Sequence, residues 1–197
     1  MNTWTWIAVV ALVVLVAMVL MLLARRRSAG LRERFGPEYN RAVEASGIRG
    51  GEAELVGRAK RHDELHIISL SEPERLSYAQ RWRSTQERFV DRPAEAVDEA
   101  EQLLTEVMEQ RGYPVTDFEE QADLVSVDHP QMVEDYRIAH RIHVRNLDRQ
   151  ASTEDLREAL LRYRSLFDGL LQPQVSGHEA VATGSRYESA PDKEGRR

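Results

Sequence analysis

Residues 62–66 read HDELH and set two imidazoles one helical turn apart, the spacing with which a helix offers two nitrogens to one zinc ion. Hydrolysis at such a metal also needs a third ligand and a carboxylate long enough to reach the metal-bound water. Asp63 follows the first histidine where zinc peptidases carry glutamate, and it is one methylene shorter. A second pair, His140 and His143, stands in YRIAHRIHV. Taken together, His62, His66, His140 and His143 offer one reading as a metal-dependent enzyme, or a metal or pH sensor, built on bundle-core histidines. Di-iron carboxylate bundles, however, repeat Glu-x-x-His on paired helices, and only the stretch from Asp63 to His66 comes near that pattern. Both pairs also fall on apolar stripes, so the leading expectation is histidines that border a core, with no metal and no cofactor.

Other chemistry finds no carrier. The chain has no cysteine, hence no disulfide, thiolate nucleophile or CxxC site. It lacks the phosphate loop GxxxxGK[ST], the dinucleotide loop GxGxxG and the nucleophile turn GxSxG. No catalytic residue can be nominated, and the expectation is a protein that is not an enzyme.

The elements that would position these residues begin with residues 4–24, WTWIAVVALVVLVAMVLMLLA, which carry no charge. As a helix they rise about 31 Å, the thickness of a hydrocarbon core. Trp4 and Trp6 at one end and Arg25, Arg26 and Arg27 at the other mark the two membrane interfaces. A cleaved signal peptide would have a basic start and a shorter apolar run. The arginines predict a single-pass protein of the cell membrane, N-terminus outside and C-terminal domain cytoplasmic. Residues 25–30 form a basic juxtamembrane segment that also faces the lipid bilayer.

Residues 31–171 are long enough for one ordinary core. LRERF continues the first helix until Gly36 and Pro37, a short helix follows through Val43, SGIRGG at 46–51 forms a joint, and Glu52 opens a helix bearing Leu55, Ala59, His62 and His66. Ser71 and Glu74 predict a capping box for a helix from Glu72 to about Val90, with Tyr78, Trp82, Thr85 and Phe89 on its buried side. Val97, Ala100, Leu104, Val107 and Met108 recur at helical spacing until Gly112. Thr116 and Glu119 predict a second box for one or two turns, Pro130 starts a helix reaching Leu147, and Ser152 with Asp155 caps the last, striped by Leu156, Leu160, Tyr163, Phe167 and Leu170. HIISL alone could be extended, and is too short to build a sheet. The fold class is therefore all-α, an N-terminal transmembrane helix followed by a four- to five-helix bundle. Residues 172–197 lack periodicity and predict a disordered tail.

Charge is uneven. Between positions 91 and 135 there are 14 acidic residues and two arginines, whereas positions 137–164 hold seven arginines and four acids. The acidic helices are poor candidates for nucleic acid or anionic lipid, so no nucleic acid is expected as a partner, and opposite charges are expected to pair across neighbouring helices. What remains is a membrane-tethered helical module for an unidentified protein partner.

The segments RFGPEYNRAV, RFVDRP, RGYP, SVDHPQMVEDYRIAH and STEDLREALLRYRSLF, in this order behind an N-terminal span, resemble a family of uncharacterised single-pass membrane proteins common in actinobacteria. The resemblance covers most of positions 31–171. It implies an anchored helical domain and brings no activity and no catalytic residues.

Overall fold

The computed structural model describes residues 3–172, without the side chains at positions 3, 5, 7–10, 20 and 24. Among these residues the chain forms seven helices and no strand, so the fold is all-α. The expected tail, beyond Gln172, lies outside the described residues.

Helix α1 spans Thr3–Phe35 without a break, so the apolar run and the juxtamembrane arginines belong to one rod. Among its described side chains, Trp4, Trp6 and the large apolar residues of positions 12–19 and 21–23 are exposed. The expectation of a span at 4–24 is met as to the helix and not as to the crossing: among the described residues no helix is long and apolar enough to cross a membrane.

Gly36 turns the chain directly into α2, Pro37–Asp63. The joint foreseen at 46–51 shrinks to one non-helical residue, Gly47, whose φ of 70° is open to glycine at little strain. The two limbs of α2 then fold back on each other. Gly51 permits this, because a Cβ there would stand 2.6 Å from the Ala42 carbonyl, and Tyr39 Oη donates to Glu52 Oε1 at 3.0 Å across the pair. Helix α2 stops at Asp63, so HDELH does not ride one helix: Glu64 is a turn and His66 lies exposed in the segment that follows. That segment must cross the end of the next hairpin, where Ile68 N donates to Arg111 O at 2.9 Å.

Helices α3 (Glu72–Arg88), α4 (Pro93–Arg111), α5 (Phe118–Asp128), α6 (Val133–Leu147) and α7 (Thr153–Leu171) complete the fold. The capping boxes foreseen at Ser71 and Ser152 are both made. The third is replaced: Asp117, not Thr116, caps α5, its carboxylate accepting from Glu120 N at 2.9 Å. Because α5 is a full helix and positions 130–132 form a turn ahead of α6, six helices follow the first rather than four or five. The stripes of α4 and α7 are buried as the spacing predicts. Helix α7 packs on α4 and α6, and α3 covers α4. Trp82 of α3 stacks on Phe167 of α7 with ring centroids 4.6 Å apart. A second, smaller core joins Phe35 at the end of α1, Tyr39, Ala42, Leu55 and Ala59 of α2, and Val127 of α5. Burying a side chain such as Phe35 contributes about 1.5–3 kcal/mol, so packing helps to hold the first helix to the bundle.

Candidate functional site

The polar centre of the molecule lies beside that second core. Glu38, in the first turn of α2, is 2 % exposed. Its two carboxylate oxygens accept from Arg58 Nη1 at 3.1 Å and Arg137 Nη1 at 2.6 Å. Asp123 Oδ1 receives the same two guanidiniums, each at 2.9 Å. Two carboxylates and two guanidiniums thus alternate in a closed ring across α2, α5 and α6. Arg58 also donates to Ser126 Oγ at 2.9 Å and to Glu54 Oε1 at 2.7 Å. Burial holds the Asp123 carboxyl above its ordinary range against the pull of Arg58 and Arg137. A ring in which every charge is gripped by opposite charges is fit for fixing helices in one register. Nothing in it is offered to a substrate: Glu38 and both guanidiniums are almost wholly covered.

The histidines divide among separate carboxylates. His62 Nε2 lies 2.8 Å from Asp128 Oδ2, which also accepts from Tyr113 Oη at 2.5 Å. Burial would raise the Asp128 carboxyl, but the hydrogen bonds with His62 and Tyr113 outweigh it and hold the group below its usual range. Burial and the Asp128 charge push the Tyr113 hydroxyl well up. The neighbouring His129 is held below the ordinary histidine value, first by burial and then by Arg111. His140 stacks on Phe118 and sets Nδ1 2.9 Å from Glu101 Oε1. His143 Nδ1 is 3.2 Å from Asp98. His66 stays exposed. Among the described residues no three of His, Asp and Glu are placed to hold a metal ion, so His62, His66, His140 and His143 are not gathered into the four-imidazole site that their spacing allowed.

Surface charges pair between neighbouring helices, as expected. Arg81 meets Glu106 and Arg88 meets Glu99, each at 2.6 Å, while Arg162 bonds Asp135. The residues expected at the membrane interfaces stand apart from this pairing: Trp4 and Trp6 are 81 % and 59 % exposed, and Arg25, Arg26 and Arg27, farther along α1, are exposed too.

No protein-family model, curated protein or solved structure matches the chain.

Sequence reasoning missed the ring entirely. Its signal was present in two places: Arg58 falls three residues after Leu55, and Arg137 four after Val133, so both are charges on apolar stripes. A charge on such a stripe requires a buried partner, but the partners lie 20 and 99 residues away.

Proposed function

We propose that the chain is a membrane-tethered helical protein-interaction module: α1 anchors it in the cell membrane, and the bundle is presented at the cytoplasmic face to a protein partner. The observation that carries this reading is the exposed band of large apolar side chains on α1, continuous in one helix with Arg25, Arg26 and Arg27. In sequence the band is 21 uncharged residues, the length a bilayer core requires. The arginines favour retention of their end inside. This is also the setting implied by the resemblance to actinobacterial single-pass proteins.

The ring of Glu38, Arg58, Asp123 and Arg137 gives the reading mechanical content. With Gly36 as the sole residue between α1 and α2 and Phe35 fully buried, the bundle stands in a fixed orientation to the rod. A partner docking on it would meet one surface at one height above the lipid.

Fractionation of cells expressing the full chain tests the anchor. Retention in the membrane pellet through alkaline carbonate, with partners crosslinked to the bundle enriched over an unrelated anchored bundle, is the expected result. Release by carbonate would refute the anchor, and absence of any enriched partner would refute the interaction role.

A further inference from the structure

Between positions 25 and 34 helix α1 carries five arginines and one carboxylate, Glu33. Arg34 lies 3.8 Å from Asp63. Arg32 holds its guanidinium 5.0 Å from the centre of the Tyr39 ring. Arg25, Arg26 and Arg27 are exposed and take no carboxylate partner among the described residues. On the bundle surface, by contrast, Arg81, Arg88 and Arg145 each meet an acid at hydrogen-bond distance.

One face of the rod arranges the unmatched charge. Met21, Arg25, Ser28, Ala29, Arg32 and Glu33 line a shallow groove along this one helix face, open to solvent. Arg25 and Arg32 are two turns apart, roughly 10 Å along the axis, and the small side chains of Ser28 and Ala29 leave the space between them open. The exposed apolar band ends directly above, at Met21, Leu22 and Leu23.

We infer that this face binds the headgroups of anionic phospholipids, with Arg25 and Arg32 gripping the phosphate diester. The inference rests on the anchored reading and adds a lipid class to it. Guanidinium forks match phosphate oxygens two at a time, and Tyr39 already holds the Arg32 fork in place, so less freedom is lost when lipid arrives. Charge selects the headgroup. A zwitterionic lipid brings its own cation into a field of guanidiniums that Glu33 and Asp63 offset only in part, whereas phosphatidylglycerol brings only the anion. Position selects lipid over an acidic protein, because the groove begins where the apolar band stops.

The test uses the full chain in nanodiscs containing trace spin-labelled phosphatidylglycerol or phosphatidylcholine, and reads the motionally restricted fraction of each label. Phosphatidylglycerol should be preferred several-fold in ~0.1 M salt and lose most of that preference in ~1 M salt, where screening shortens to ~3 Å. The double variant Arg25→Gln/Arg32→Gln should bring the preference to within about twofold of unity, because it removes the two guanidiniums that face the phosphate. Arg83→Gln, on the exposed surface of α3, should leave it unchanged. Equal restriction of the two labels by the wild-type chain, or an undiminished preference in the double variant, overturns the headgroup inference and leaves the anchor standing. No restricted component with either label overturns the anchor and the inference together.

Discussion

Arg137 of α6 donates to Glu38 of α2 at 2.6 Å across 99 residues of chain, and both side chains are 2 % exposed. The pair ties the α2 hairpin, which follows the first helix, to the main bundle. Because Arg58 grips the same glutamate from the other side, Glu38 is the point at which three segments are registered. A buried pair of this kind adds little over well-packed apolar groups, but breaking it leaves an uncompensated charge.

Glu38→Gln should therefore destabilise the protein by about 3–5 kcal/mol, a fall in Tm of roughly 10 °C for a chain of this size. Calorimetry of Glu38→Gln, Arg137→Gln and the double variant should show strong non-additivity, the double costing less than the two singles combined. Simple additivity would mean that the two groups do not share one interaction.

The α2 hairpin makes opposite predictions for two glycines. At Gly51 an added Cβ meets the Ala42 backbone at 2.6 Å, whereas at Gly57 the nearest atom is the end of Arg61 at 3.8 Å. Gly51→Ala should lower stability by about 1–3 kcal/mol by forcing the limbs apart. Gly57→Ala, inside a helix, should raise it by about 0.4–1 kcal/mol. Denaturant titration of the two variants checks both signs.

Acid sensitivity should appear near neutrality. His129 is held below its ordinary value of 6.5 by burial and Arg111, so below that pH the unfolded chain takes the proton first and the folded state loses ground. Stability should be full above about pH 6.5 and fall on acidification until the folded-state value is passed, with a slope of at most about 1.4 kcal/mol per pH unit for one proton. His129→Gln should flatten Tm between pH 8 and 5. Asp123, whose carboxyl is raised, contributes the opposite sign in more acid solution: protonation there favours the folded state. An unchanged Tm profile in His129→Gln would refute the assignment.

The histidine sites make a further prediction. Since His62, His140 and His143 are each set against a different carboxylate, a chelator should leave Tm within about 1 °C of its untreated value, because no metal contributes binding energy to folding. A drop of many degrees, with stoichiometric zinc or iron by elemental analysis, would restore the metal reading.

What could be read from the sequence was local. The capping boxes at Ser71 and Ser152 and the stripes of α4 and α7 depend on residues three or four apart, and the structure reproduces them. The site was not local. Glu38 meets Arg137 only because the hairpin and α6 converge on α5, an arrangement that no window of helical periodicity records. HDELH misled for a related reason: its spacing is helical, but the chain leaves the helix after Asp63 to cross the end of α4. Thr116 lost the cap of α5 to its neighbour Asp117, whose carboxylate accepts from Glu120 N at 2.9 Å.

The anchored, inward-facing bundle is tested most directly by the topology of its carboxyl end. Paired fusions at that end, one to a fluorescent protein that matures only in the cytoplasm and one to alkaline phosphatase active only outside, should give fluorescence without phosphatase activity in intact cells. Phosphatase activity without fluorescence would place the bundle on the outer side and contradict the account.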